Sequence, residues 1–357
     1  MSGIHRLIMK DLRSVKSADV KNRTVMLRAD LDVPIKNAVI GDDSRLKAWF
    51  PTLQYLLEEG ATIIIVGHLG RPDGKDSGLS LLPVAKWLNS KFKVHRSKFE
   101  MTKVGGFAGW EITDKIFLLE NIRFYGEEEK NDPQFAKRLA SIAQVFVNDA
   151  FASSHRAHAS IVGVTKFLPA FAGLRLLEEV KVLSGVLENP KRPLGVVIGG
   201  AKIETKLPLV EKMHGFADYV LVGGEIVEND KVLLRLAHEK VPGRSMLLMA
   251  DTIENKQDIT LRSVENFLQV LKNAQTIVWN GPLGQIEDER YQAGTEILAE
   301  GIIKIPAFTI VGGGDTLGFL KKKNLLKGFS FASTGGGAML EFLAGEKLPG
   351  LVVLEQK

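Results

Sequence analysis

Four short apolar runs in the second half of the chain each end in a cluster of glycines. Gly199-Gly200 follows Val196-Val197-Ile198, and Gly223-Gly224 follows Val220-Leu221-Val222. Gly312-Gly313-Gly314 follows 308–311, and Gly335-Gly336-Gly337 follows 329–334. Continuous apolar runs suit strands buried on both faces of a parallel sheet. Glycines between such a strand and a helix leave bare backbone N–H groups where an anion can meet them. The first half carries cationic or titratable side chains at comparable turns: Arg28, Arg45, His68, Arg71, Arg123, His155, Arg156 and His158. One half is built to hold phosphate by backbone and the other to hold an anion by side chains, which points to two ligands brought together.

At 357 residues the chain exceeds one ordinary core, and two domains are expected. Its 45% apolar and 25% charged content gives no compositional case for disorder. The net charge of +5 fits anionic small molecules, but 47 basic residues scattered among 42 acidic ones form no nucleic-acid footprint. With no cysteine there is no disulfide, thiolate nucleophile or thiolate metal site. The first twenty residues are broken by charge and lack the apolar core of a signal peptide, and runs such as 61–66 are too short to span a membrane. A cytoplasmic protein is expected.

Strands are expected at 24–27, 62–66, 116–119 and 145–147, and helices at 44–59, 81–91 and from Asn131-Asp132-Pro133. A long amphipathic helix over 174–187 is stopped by Asn189-Pro190-Lys191-Arg192-Pro193, and a second βα series begins at Gly195. The expected fold is α/β: two doubly wound, parallel-sheet, Rossmann-like domains with ligands at the strand C-terminal ends, facing a cleft with a hinge. The expected boundaries are 1–173, a connecting helix over 174–190, a second domain over 191–345, and a tail over 346–357 returning to the first domain.

Lys202 and Lys206, four apart after Gly199-Gly200, can share one face beside a helix N-terminus; a lone lysine pair would otherwise read as a solvated edge. No Walker A spacing occurs, and no G-x-G-x-x-G follows the first strand, which removes a nicotinamide dehydrogenase. Asp315 either caps a helix or holds Mg²⁺ on a nucleotide phosphate. His68-Leu69-Gly70-Arg71-Pro72 can clamp a carboxylate or phosphate, against the bland alternative of a satisfied imidazole. His155-Arg156-Ala157-His158 lacks a metal partner set, so an anion clamp is favoured. Arg45 lies near Asp42-Asp43, where a surface ion pair is the plain alternative.

Taken in order, Arg28-Ala29-Asp30-Leu31-Asp32-Val33-Pro34, HLGRPDG at 68–74, Leu119-Glu120-Asn121-Ile122-Arg123-Phe124, HRAH at 155–158, GGAKIETK at 199–206, WNGP at 279–282, GGGDT at 312–316 and STGGGA at 333–338 resemble phosphoglycerate kinase. That resemblance implies reversible, Mg²⁺-dependent transfer of the acyl phosphate of 1,3-bisphosphoglycerate to ADP, giving 3-phosphoglycerate and ATP. It places phosphoglycerate on the N-terminal domain, nucleotide on the C-terminal domain, and closes a hinge between them. It assigns Asp30, Asp32, Arg45, His68, Arg71, Arg123, His155 and Arg156 to the glycerate. It assigns Gly199, Gly200, Lys202, Lys206, Gly223, Asn280, Pro282, Glu287, Gly313, Gly314, Asp315, Thr316, Ser333 and Thr334 to the nucleotide, with Asp315 on the metal. Arg45, Lys202 and the N–H groups of Gly314 and Gly336 would stabilise the transferring phosphoryl group. Small-molecule substrates and a monomer follow from the same resemblance, while the scattered charge and short apolar runs lead to the expectation of no nucleic acid and no membrane.

The chain departs from the family pattern in two places. Asp32 stands where the family has Asn, so a carboxylate replaces an amide donor. After Gly223-Gly224 the third glycine is replaced by Glu225, and only about fifty residues separate Gly224 from Trp279. Asp258-Ile259-Thr260 and Gly284-Gln285-Ile286-Glu287 also differ from their counterparts. The phosphate end of the nucleotide site is expected intact and the adenine end degraded. The alternative reading is a non-catalytic or impaired phosphate-binding relative.

Overall fold

The computed structural model describes residues 12–92, 100–201, 203–228 and 245–356. Among these, 12–181 with 347–356 form one compact unit and 182–346 a second. The first unit contains β1 (Thr24–Arg28), β2 (Ile35–Lys36), β3 (Val39–Ile40), β4 (Thr62–Val66), β5 (Thr102–Val104), β6 (Phe107–Thr113), β7 (Ile116–Leu119), β8 (Val145–Asn148) and β9 (Ala170–Ala172). Seven of them make one sheet in the order β5-β6-β7-β4-β1-β8-β9.

The stretch from β7 to β9 is parallel, whereas β5 and β6 run antiparallel at one edge. A purely parallel sheet was the expectation; the exception has a local cause. Gly105 and Gly106 both have positive φ, 57° and 86°, which is what a two-residue hairpin turn demands at its centre. Central strands are apolar on both faces: Val25, Leu27, Ile63, Ile65, Val145 and Val147 share a core with Leu46, Trp49, Leu53 and Leu56 of the helix Ser44–Glu58, while Met26 and Phe146 are buried opposite. Residues near the C-terminus pack on this unit, with Gly350 N donating to Ser154 O at 2.8 Å and Arg13 N to Leu354 O at 3.0 Å.

The second unit holds β10 (Leu194–Ile198), β11 (Tyr219–Val222), β12 (Met246–Met249), β13 (Thr276–Asn280), β14 (Phe308–Gly312) and β15 (Phe331–Ser333). All are parallel, in the order β12-β11-β10-β13-β14-β15. Val197, Leu221, Ile277, Trp279 and Val311 pack against Val264, Phe267, Leu298 and Phe319 from the flanking helices. Each sheet reverses its winding beside its first strand: β4 and β8 flank β1, and β11 and β13 flank β10. The crevice outside the C-terminal ends of the strands at such a reversal is where doubly wound sheets bind ligands. No helix among the described residues is long and apolar enough to cross a membrane.

Candidate active site

In the first unit the strand-end residues gather around the β1/β8 reversal. Arg28, the last residue of β1, is buried; its guanidinium donates to Ser160 Oγ at 3.0 Å, to Ala29 O at 2.6 Å and to His68 Nδ1 at 2.9 Å. Glu128 is fully buried and balances it, accepting from Ser160 Oγ at 2.6 Å and Ser160 N at 2.9 Å. Arg123, following β7, donates to Gly70 O at 2.6 Å and pairs with Glu129 at 3.0 Å. Asn121 staples the 68–79 loop by donating to Leu69 O at 2.8 Å and Leu79 O at 2.9 Å.

Arg45, in the first turn of the helix Ser44–Glu58, turns toward the β1 loop. It lies 3.6 Å from Asp30 Oδ1 and 4.0 Å from Asp32 Oδ2, and donates to Asp32 O at 3.1 Å. The plain surface pairing with Asp42-Asp43 is therefore not its main engagement. Asp32 Oδ1 accepts from Gly70 N at 2.9 Å, so the carboxylate ties the β1 and β4 loops together. Burial raises the pKa of Asp30, Arg45 opposes the shift and Asp32 adds to it.

Three histidines line this region, and all are held neutral at physiological pH. Burial, then Arg28, Arg123 and Arg156, keeps His68 well below the usual imidazole range. Burial with Arg156 lowers His155 to about 4, and burial with Arg123 and Arg156 lowers His158 to about 3. Arg71 is exposed and contributes to the same field at His155. Charge for an anion thus comes from guanidinium groups, with imidazoles as neutral hydrogen-bonding partners. No group of three or more potential metal ligands occurs among the described residues.

In the second unit backbone does the equivalent work. A Cβ on Gly281 would overlap the Gly199 carbonyl, so the ends of β10 and β13 close on each other only as glycine. A Cβ on Gly224 would lie 2.9 Å from Gly200 N, which brings the 223–224 turn into the same cluster. Lys206 is buried and donates to Asn280 Oδ1, while Trp279 Nε1 holds the turn by donating to Gly281 O at 2.8 Å. Gly313 (φ 97°) and Gly336 (φ 53°) are the N-caps of the helices Gly314–Lys322 and Gly337–Leu343, neither with a side-chain cap. Asp315 is thus not the helix cap but an exposed residue of the first turn.

An open pocket is lined by Gly200, Ala201, Gly224, Glu225, Lys256, Gln257, Pro282, Leu283, Gly284, Gln285, Glu287 and Asp315. Of the three carboxylates in this lining, Glu225, Glu287 and Asp315, it is Asp315 that directly follows the glycines of the 312–314 turn, where it could hold an Mg²⁺ ion that takes most of its oxygen ligands from phosphate and water. Thr316 is buried with its hydroxyl lacking a protein partner, and Ser333 accepts from Gly335 N at 3.2 Å, shaping the β15 turn. Lys202 lies outside the described residues. Glu128 and Ser160 shape the first site and lie outside every motif, whereas Asn121 lies inside the 119–124 motif, which by itself assigns it no role.

The family profile of phosphoglycerate kinase matches residues 15–229 and 230–346. The chain is 38% identical over 408 aligned positions to the chloroplastic phosphoglycerate kinase 1 of Arabidopsis thaliana, covering 99% of this chain and 84% of that protein. It is 37% identical to the phosphoglycerate kinase of Dictyoglomus turgidum, covering 98% and 99% of the two. Solved phosphoglycerate kinases from Coxiella burnetii and Pyrococcus horikoshii superpose with TM-scores of 0.79 and 0.80 at 33% and 30% identity, each covering 96% of this chain and 98% of that structure. With the profile spanning most of its length and relatives matching end to end, the chain belongs to the phosphoglycerate kinase family.

Proposed function

We propose that the protein catalyses reversible phosphoryl transfer between 1,3-bisphosphoglycerate and ADP, forming 3-phosphoglycerate and ATP, with Mg²⁺ carried on the nucleotide. The observation that carries this reading is the pairing of two strand-end anion sites of opposite make, guanidinium-built in one unit and glycine-built in the other. Arg71, Arg123, Arg156 and neutral His68 and His155 bind the phosphate and carboxylate of the glycerate, and Arg45 attends the transferring group. Gly199, Gly200, Gly313 and Gly314 hold the nucleotide phosphates, Asp315 the metal, and Glu287 lines the nucleotide pocket. Lys206 and Asn280 brace the phosphate turn.

An acyl phosphate is already activated, so the protein needs no covalent intermediate and no strong base. Positioning and preorganised charge carry the rate. Substrates held on different units must be brought together by hinge closure, which also keeps water from the acyl phosphate. One chain supplies both sites, which supports a monomer, and we place it in the cytoplasm.

A coupled assay of 3-phosphoglycerate-dependent ATP consumption tests the reading. Turnover by the wild type and a loss of roughly 10²-fold or more in Lys202→Ala are expected. Folded protein with no turnover would overturn it.

A further inference from the structure

We infer that Arg28 is a positioning residue that fixes the tautomer of His68, leaving Nδ1 unprotonated and Nε2–H as a permanent donor toward the substrate anion. The step is forced by hydrogen-bond chemistry. A guanidinium has donors only, and Arg28 sits 2.9 Å from His68 Nδ1, so that nitrogen must supply a lone pair. The ring proton of the neutral imidazole then resides on Nε2. A protonated ring would set two N–H groups against each other, inside a site where both residues are buried.

Arg28 cannot turn away to relieve such a clash. Its Nε and Nη1 are held by Ser160 Oγ and Ala29 O, which fixes the plane of the guanidinium, and Ser160 is itself anchored on Glu128. Glu128 supplies the negative charge that lets a guanidinium remain buried here. The other groups acting on His68 are Arg123 after β7, with Arg156 and His158 from the 153–160 segment, and each disfavours a second ring proton. Glu129 pairs with Arg123 rather than with the histidine. The sequence Glu128–Ser160–Arg28–His68 is therefore a buried relay of orientation. It leaves anion recognition at His68 indifferent to pH across the range in which a free imidazole would switch.

The placement of His68 against the glycerate rests on the function proposed above, but the tautomer does not, and the two are tested apart. Imidazole ¹⁵N NMR of the full-length protein from pH 5 to 8 should show His68 Nδ1 as a non-protonated nitrogen, Nε2 as protonated, and no titration. Arg28→Lys, which still donates, should keep that signature. Arg28→Met should lose it and raise the KM for 3-phosphoglycerate about tenfold with a smaller change in kcat. Because Arg28→Met strands a buried carboxylate, Arg28→Met/Glu128→Gln is measured beside it to keep the site neutral and folded. Protonated Nδ1 in the wild type, or an unchanged tautomer in both Met variants, would refute the assignment. Failure of turnover with the tautomer intact would refute the proposed function alone.

Discussion

Asp32 is the residue whose role the structure changes most. As a carboxylate replacing an amide it adds negative charge to an anion site, yet its Oδ1 is engaged by Gly70 N at 2.9 Å and its other oxygen faces Arg45 at 4.0 Å. An asparagine can keep the Gly70 bond through its own Oδ1, so the loop tie is separable from the charge. Asp32→Asn should lower the KM for 3-phosphoglycerate about three- to tenfold near neutral pH, the effect of removing one like charge at short range in a partly screened site. Asp32→Ala, which loses the tie as well, should not give the same gain. An unchanged or higher KM in Asp32→Asn would sink the idea. At this scale the sequence was partly legible. Arg45, His68, Arg71, Arg123 and Arg156 were legible through the family resemblance, since each taken singly reads as an ordinary ion pair or a satisfied side chain. Glu128 was not, because it sits in Glu127-Glu128-Glu129, a run that reads as a solvated face. Only packing separates it: Glu127 and Glu129 are exposed and Glu128 is fully buried.

The helix Leu174–Glu188, which begins in one unit and ends in the other, shows how an element can depend on a residue far from it in sequence. Its N-terminus has no capping side chain of its own, because the residue before it is Gly173 and a Cβ there would overlap the Asp149 carboxylate. Asp149, just after β8, accepts from Leu176 N at 2.9 Å and caps the helix from outside. Burial outweighs its hydrogen bonds to Thr52, Leu176 and Arg175 and raises its pKa to about 7. An unfolded aspartate releases its proton near 3.9. Between about pH 4 and 7 the folded state therefore binds the extra proton, so stability falls as pH rises through that window and levels off above it. Asp149→Asn should flatten the slope, by on the order of a few kcal/mol between pH 5 and 8, in urea unfolding at both values. A variant that keeps the wild-type slope would show that another group carries it. Helix extents were readable from periodicity to within a residue or so: 174–187 was expected and Leu174–Glu188 is observed. The external cap was not readable, since nothing local in Gly173-Leu174 reveals a partner twenty-four residues earlier. The antiparallel β5–β6 ribbon was missed although Gly105-Gly106 between two short runs is a hairpin signal.

The alignment with the Dictyoglomus turgidum relative runs over 396 positions, so at least 39 of them, the excess over this chain's 357 residues, have no counterpart here. The family profile breaks between residues 229 and 230, inside the segment that counting from Gly224 to Trp279 had marked as short. Chain length is a property the sequence exposes directly, whereas its effect on a pocket depends on what walls remain. The phosphate turns keep their tight glycine contacts, and Gly224 still packs on Gly200. Beside apolar Ala201, Pro282 and Leu283, the pocket is lined by the polar side chains of Glu225, Lys256, Gln257 and Gln285, with Gln257 Nε2 donating to Gln285 Oε1 at 3.2 Å and Gln285 N to Gln257 O at 2.8 Å. Discrimination among purines comes from an enclosing apolar slot together with hydrogen bonds that a wrong base leaves unpaired. Exposed amides and charges can swap partners with water at little cost, so they reject a wrong base weakly. The kcat/KM values for ATP and GTP, measured in the same coupled assay of 3-phosphoglycerate-dependent nucleotide consumption, should differ by less than about tenfold, or ~1.4 kcal/mol. A preference of a hundredfold or more for either base would mean that the shortened segment still closes a selective pocket, and the relaxed reading would fall.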